Sequence, residues 1–236
     1  MNHVDETRYL LTERGMRFLA ARAGVPAATF RRHGGVTFSS KDHPRHGRVV
    51  RHREHTVGVN RFFARLAGEA RAAGWQLAEW RNEAESTHRF ATKDGRTAWI
   101  RPDSSGVLER GGESHPFLLE YDRGTLDAGD YRAKLEGYRR YYAAEEWQGD
   151  FSCEPVLLFV CSDDRAEDRV RGVADETAMQ ATVLTTAEWR FAGRTGRANG
   201  TFGEIWLPIH ASDEARQGWP AVWAHVSRRR RQAEAW

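Results

Sequence analysis

The segment EPVLLFVCS, at positions 154–162, restricts the fold of this chain more than any other. A strand with one face in water alternates apolar and polar residues, whereas a continuous apolar run is typical of a strand covered on both faces. Segments with helical spacing stand on either side of it, YRAKLEGYRRYY before and AEDRVRGVADETAM after. A buried strand between two helices predicts an α/β fold.

The elements upstream extend this prediction to a mixed sheet. Val59, Phe62, Phe63 and Leu66 recur at helical spacing, and Gly74 supplies a stop. Strands are predicted in WQLAEWRNE, RTAWIRPD and PFLLEYD, and a shorter one in ATVLTT after the second polar helix. Neighbouring strands followed by a crossover helix, which Asp127 or Asp130 can cap, predict a mixed central sheet flanked by helices.

Composition along the chain predicts four parts. Residues 1–24 are similar to the last strand and closing helix of a winged helix, either as a truncated remnant or as a chance likeness. Residues 25–54 are rich in Gly, Pro, Arg and His without periodicity and are predicted to be a basic linker or arm. The α/β domain is predicted over residues 55–190, and residues 191–236 form a C-terminal extension.

The charge distribution favours a nucleic-acid partner. The net charge is +3 with a pI of about 9.1, and positive charge is dense over residues 31–53 and in a run of four arginines, Arg228, Arg229, Arg230 and Arg231. Such arms contact phosphates, with merely solvated tails as the alternative. Replacing the four arginines with alanine is expected to weaken DNA binding and its salt dependence while leaving the melting temperature nearly unchanged.

The sequence gives no sign of a membrane segment. No apolar run approaches the roughly 20 residues that span a bilayer, and the first twenty residues lack a signal-peptide core. These features predict a soluble, cytoplasmic protein with no membrane partner.

Three carboxylates are predicted to converge at one end of the sheet. Asp103 ends one predicted strand, and Glu120 and Asp122 share one face of the next because they are two residues apart. Close anions repel and are stabilised by a cation, and oxygen ligands suit Mg²⁺ or Mn²⁺. Lys134, one of few lysines, projects from the following helix and is predicted to neutralise charge or orient a water.

The segments RPD, LLEYDRGT, YRAKLEGYRRYY and EIWLPI together resemble the replication-relaxation family of plasmids and integrative elements. This resemblance implies a PD-(D/E)XK, restriction-endonuclease-like fold preceded by a winged-helix domain. It also implies catalytic roles for Asp103, Glu120, Lys134 and an upstream carboxylate, Glu83, with Glu79 and Glu85 as competitors. Asp122 stands where active nucleases of this type usually carry lysine, so it favours an inactive site.

Three functions are compatible with these features. The first is a metal-dependent DNA endonuclease or nickase, with Asp103, Glu120 and Asp122 as metal ligands and Tyr138 as a base-stacking group, unless its ring only packs between helix and sheet. The second is a catalytically silent accessory protein that binds DNA in plasmid replication or transfer. The third is a partner-binding protein or homodimer whose interface contains three tryptophans, Trp219, Trp223 and Trp236.

Overall fold

The computed structural model describes residues 17, 21, 46–179, 181–192, 200–209 and 216–223, and within residues 46–53 the backbone alone. The chain divides into two units, Met1–Val57 and Gly58–Trp236, and every described residue of the first unit is helical. The four arginines at 228–231, Trp236 and most of the predicted winged-helix remnant lie outside the described residues. The roles assigned to them remain predictions.

The helices of the described residues include the three that were predicted. They are α1 (His46–Ala72), α2 (Ala128–Ala143), α3 (Asp164–Glu176) and α4 (Trp189–Ala192), with a 3-10 helix at Glu146–Gly149. Asp127 caps α2, because its carboxylate accepts from Asp130 N at 2.9 Å while Asp130 accepts from Asp127 N at 3.2 Å. No described helix combines the length and the apolar composition that crossing a bilayer requires.

Helix α1 begins earlier than the sequence indicated. It starts at His46, inside the segment 25–54 that was predicted to be a linker or arm. Arginine is a good helix former, so a basic stretch can be helical without an apolar stripe. Apolar periodicity gives no signal for such a stretch. The predicted linker is therefore wrong for its last residues, 46–54, which are helical.

The strands form one mixed sheet and one hairpin, as the sequence predicted for the central sheet. The bounds are β1 Gln76–Asn82, β2 His88–Ala91, β3 Thr97–Ile100, β4 Ser104–Arg110, β5 Glu113–Asp122, β6 Val156–Cys161, β7 Val183–Ala187 and β8 Leu207–Pro208. The central sheet has the order β1-β4-β5-β6-β7-β8, and β2 pairs only with β3. Strands β5, β6 and β7 are parallel, whereas the other pairs are antiparallel.

Strand β4 was not predicted, and its presence changes the position of Asp103. Asp103 does not end a strand; it directly precedes β4, whose first residues are Ser104, Ser105 and Gly106. Serine and glycine have low strand propensity, which hid this element. A side chain at Gly106 would clash with the Phe117 ring, since an added Cβ would lie 2.6 Å from its Cζ.

Helices cover both faces of the sheet. Alternate residues of β5 separate the two cores: Phe117 and Leu119 pack with α1, whereas Leu118 packs with α2 and α3. Trp219 and Trp223 belong to the α1 side and are only 0% and 2% exposed. The hypothesis that these two tryptophans form an exposed interface is therefore wrong. The core also extends past the predicted boundary at residue 190, because β8 joins the sheet.

Candidate functional site

Glu120 lies at the centre of a polar cluster between β5 and α2. The carboxylate faces α2 because it shares the alternation of Leu118, and only 1% of the residue is exposed. Tyr138 donates its hydroxyl proton to Glu120 Oε1 at 2.5 Å, and Lys134 Nζ donates to Oε2. Lys134 and Tyr138 are one helical turn apart, so α2 presents both donors to the same carboxylate.

Asp103 is the second carboxylate of the cluster. Ser104 pairs with Leu119 in the β4–β5 ladder, which brings Asp103 beside Glu120. The strand in RTAWIRPD, which was predicted to supply this neighbour, pairs with β2 instead. The backbone N–H of Tyr121 donates to Asp103 Oδ2 at 2.7 Å and fixes the side chain. A carboxylate on β5 and another directly before β4 therefore lie next to one ammonium group.

The proton affinities of these groups follow from burial and from one another. Burial raises the pKa of Glu120 to about 7, with Lys134 acting against the rise and Asp103 adding to it. Burial also raises the pKa of Asp103, again against Lys134. Burial lowers the pKa of Lys134, but the attraction of Glu120 and Asp103 outweighs it and the net shift is upward. Lys134 therefore stays charged at neutral pH, whereas the pKa of Glu120 lies near neutrality.

Asp122 has other partners. Its Oδ2 accepts from the Tyr131 hydroxyl and its Oδ1 accepts from the backbone N–H of Gly124 at 3.0 Å. Asp122 shares a strand face with Glu120, as the period of two predicted. The two carboxylates nevertheless bind different groups, because Asp122 accepts from Tyr131 on α2 and from the loop before α2, whereas Glu120 accepts from Lys134 and Tyr138. The structure thus brings together Asp103, Glu120 and Lys134, with Asp122 near the lysine but separately satisfied.

These residues do not fit a resident divalent cation as they stand. Within the described ranges, no three or more His, Cys, Asp or Glu side chains are placed to hold a metal ion. Both oxygens of Glu120 are engaged by Lys134 and Tyr138, and the ammonium supplies the positive charge that a metal would bring. A metal ion at Glu120 would therefore compete with Lys134 for the same carboxylate.

Of the three competing upstream carboxylates, Glu83 is the one whose charge acts on Asp103. Its negative charge helps to raise the pKa of Asp103, and it lies exposed in the turn after β1. Glu79 pairs instead with Arg81 at 2.7 Å, and Glu85 accepts from the Asn82 side chain at 2.8 Å. Glu83 is therefore the exposed member of the cluster.

The prediction that Tyr138 stacks on a DNA base is wrong. The residue is 1% exposed and its hydroxyl is bound to Glu120, so the ring is not accessible to a base. The alternative, packing between helix and sheet, holds. The sequence did contain a signal for its polar role, because Tyr131, Lys134 and Tyr138 recur on one helical face and follow a strand with carboxylates at alternate positions.

Comparison with known proteins gives one match. The family model described as replication-relaxation matches residues 2–157, about two thirds of the chain, and this range contains Asp103, Glu120 and Lys134. No curated protein and no solved structure matches the chain.

Proposed function

The chain belongs to the replication-relaxation family, and on that premise we propose that it is a DNA-binding accessory protein of a plasmid or other mobile element whose buried carboxylate cluster is catalytically silent. Family membership indicates a role in plasmid or mobile-element replication or relaxation. We assign the cluster of Asp103, Glu120 and Lys134 a role in structure and charge balance rather than in phosphodiester hydrolysis.

The observation that carries the proposal is the engagement of Glu120 by its own chain. Lys134 and Tyr138 occupy both oxygens of the carboxylate, and the residue is 1% exposed. Metal-dependent hydrolysis requires a cation that contacts both the protein and the phosphate. A buried carboxylate whose two oxygens already accept hydrogen bonds leaves little room for such a cation.

DNA contact is expected to come from the basic surface rather than from this cluster. The chain has a net charge of +3 and a pI of about 9.1. Lysine and arginine side chains that neutralise phosphates release counterions, which gives sequence-independent affinity that falls with salt. The arginines at 228–231 remain the predicted DNA-contacting run.

A metal-dependent nuclease is the second candidate, and the proton affinity of Glu120 favours it. A carboxyl group with a pKa of about 7 is suited to general acid–base chemistry at neutral pH. Asp103 lies beside it, and the exposed Glu83 acts on Asp103, in the order that the family resemblance implies. In this alternative Lys134 leaves Glu120 when DNA and metal bind.

Purified protein incubated with supercoiled plasmid, with and without millimolar Mg²⁺ or Mn²⁺, separates the two candidates. We expect retarded but uncut plasmid under both conditions, and a melting temperature that the metals leave unmoved in both the wild type and Asp103→Asn. Metal-dependent nicking that Asp103→Asn abolishes, together with a metal-induced rise in the wild-type melting temperature, would replace the accessory role with the nuclease.

A further inference from the structure

The β2–β3 hairpin has two different faces. His88, Phe90 and Ile100 point inward and are at most 9% exposed. The Phe90 ring lies 5.5 Å from the ring of Tyr141 on α2, and His88 Nδ1 is 2.8 Å from Asp150 Oδ2. These contacts fix the hairpin to the domain, although it shares no strand pairing with the central sheet.

The outer face of the hairpin combines an exposed indole with arginines. Trp99 is 59% exposed, the largest exposure among the described large hydrophobic residues. Arg89 stands directly opposite Trp99 in the ladder, and the Arg101 guanidinium lies 5.2 Å from the centroid of the Trp99 ring. Both arginines are exposed.

The other exposed tryptophans have structural explanations that Trp99 lacks. Trp80 stacks on Phe63 at 4.8 Å and donates from Nε1 to Ser104 Oγ at 2.9 Å. Trp189 donates from Nε1 to the Asp164 carboxylate at 3.2 Å. Among the described residues, the ring contact of Trp99 is with the Arg101 guanidinium. Packing within the fold therefore does not explain why an exposed indole stands at this position.

The tip of the hairpin adds positive charge on an ordered turn. Gly95 has a φ of 76°, which favours glycine, and Thr92 N donates to Arg96 O at 2.8 Å to close the turn. Residues 88–101 contain the cations Arg89, Lys93, Arg96 and Arg101 against the single anion Asp94. The hairpin is therefore a preorganised, basic arm with an aromatic centre.

We propose that this arm binds single-stranded DNA, with an unpaired base stacked on Trp99 and the neighbouring phosphates held by Arg89 and Arg101. Indole rings and guanidinium groups are the side chains that stack bases and neutralise phosphates in single-strand binding. Duplex bases already stack on one another and offer no free face along the helix, so the indole selects an unpaired strand. The inference rests on the proposed DNA-binding function and names the form of DNA that this surface takes.

Fluorescence anisotropy with a labelled 20-nucleotide oligo-dT and a 20-base-pair duplex tests the arm on the full-length protein. Trp99→Ala is expected to weaken binding of oligo-dT by about 10-fold and of the duplex far less, while Trp99→Phe retains most of the affinity. Arg89→Ala and Arg101→Ala should each lower the slope of log K against log salt by about 0.7.

Trp189→Ala is the matched control, because Trp189 is also exposed and also carries an arginine, with Arg190 at 4.4 Å from its ring centroid. It should bind oligo-dT as the wild type does. Wild-type affinity in Trp99→Ala, or an equal loss in both tryptophan variants, would overturn the proposal that the arm binds single-stranded DNA. The proposed DNA-binding function of the chain would still stand. If the wild type binds neither oligonucleotide, the proposed function fails together with the arm.

Discussion

Two buried glutamates of the domain have opposite surroundings. Glu167 on α3 is only 2% exposed. Its two carboxylate oxygens accept hydrogen bonds from Nη1 and Nη2 of Arg216, both at 3.0 Å, and Oε1 also accepts from the Thr185 hydroxyl at 2.9 Å. Glu120 is equally buried, but it has a lysine and a tyrosine as donors and a second carboxylate, Asp103, beside it.

The difference separates a carboxylate that is paired with its own guanidinium from one that shares its cation with a second carboxylate. The planar guanidinium matches a carboxylate in two parallel hydrogen bonds, so Glu167 fastens the segment that contains Arg216 to α3. Glu120 shares one ammonium with Asp103, and the two anions together exceed the charge of Lys134. Burial raises the pKa of Glu120 to about 7, and the charge of Asp103 adds to the rise while that of Lys134 opposes it.

The largest effect is expected from removing the cation of the structural pair. Arg216→Met leaves the buried Glu167 carboxylate with only the more distant Arg190 guanidinium, at 3.8 Å, which should lower the free energy of unfolding by about 3 to 5 kcal/mol. Urea denaturation at pH 7 measures this. Arg132→Ala is the control, because it breaks an exposed pair with Glu176 and should cost less than about 1 kcal/mol. Similar losses in the two variants would refute the structural role.

Removing the cation of the other cluster should destabilise the protein in a pH-dependent manner. Lys134→Met keeps most of the side-chain volume but leaves Glu120 and Asp103 without a counter-charge, for an expected loss of about 3 kcal/mol at pH 8. At pH 5 Glu120 can take up a proton, so the loss should shrink. Urea denaturation at the two pH values tests this, and a loss that does not change with pH would contradict it.

The raised pKa of Glu120 predicts the direction of the wild-type pH dependence. The folded state holds this proton more tightly than the unfolded state, in which the value is near 4.5. The stability from this group is complete below about pH 4.5 and is lost as the pH rises to about 7, by at most about 3 kcal/mol. Glu120→Gln cannot titrate and should flatten thermal stability over this window. An unchanged slope would argue against the shift.

The smallest effect is expected from relieving the repulsion. Asp103→Asn removes one negative charge while its amide oxygen can still accept from Tyr121 N, so the protein should gain about 1 kcal/mol at pH 8. The pH at which Glu120 titrates should also fall. Glu79→Gln removes an exposed carboxylate of the same sheet and serves as the control. Destabilisation by Asp103→Asn would show that its charge is needed for the fold.

Local patterns were sufficient to predict most of the elements and part of the cluster. The apolar run of β6, the alternation of Glu120 and Asp122 on β5 and the helical spacing of Lys134 and Tyr138 depend only on residue type and period. The mixed sheet with helices on both faces followed from them. Strands β2, β4 and β8 and the start of α1 were missed. In β4 and α1 the reason is that serine, glycine and arginine give no apolar signal.

The partners of each buried charge were decided by the tertiary structure alone. Sequence period places Glu120 and Asp122 on one face, but only the register of β5 against α2 gives Lys134 to the first and Tyr131 to the second. Likewise, Glu167 and Arg216 are distant in sequence and no periodicity relates them. Period determines the face on which a side chain lies, whereas its neighbour on another element depends on how the two elements pack.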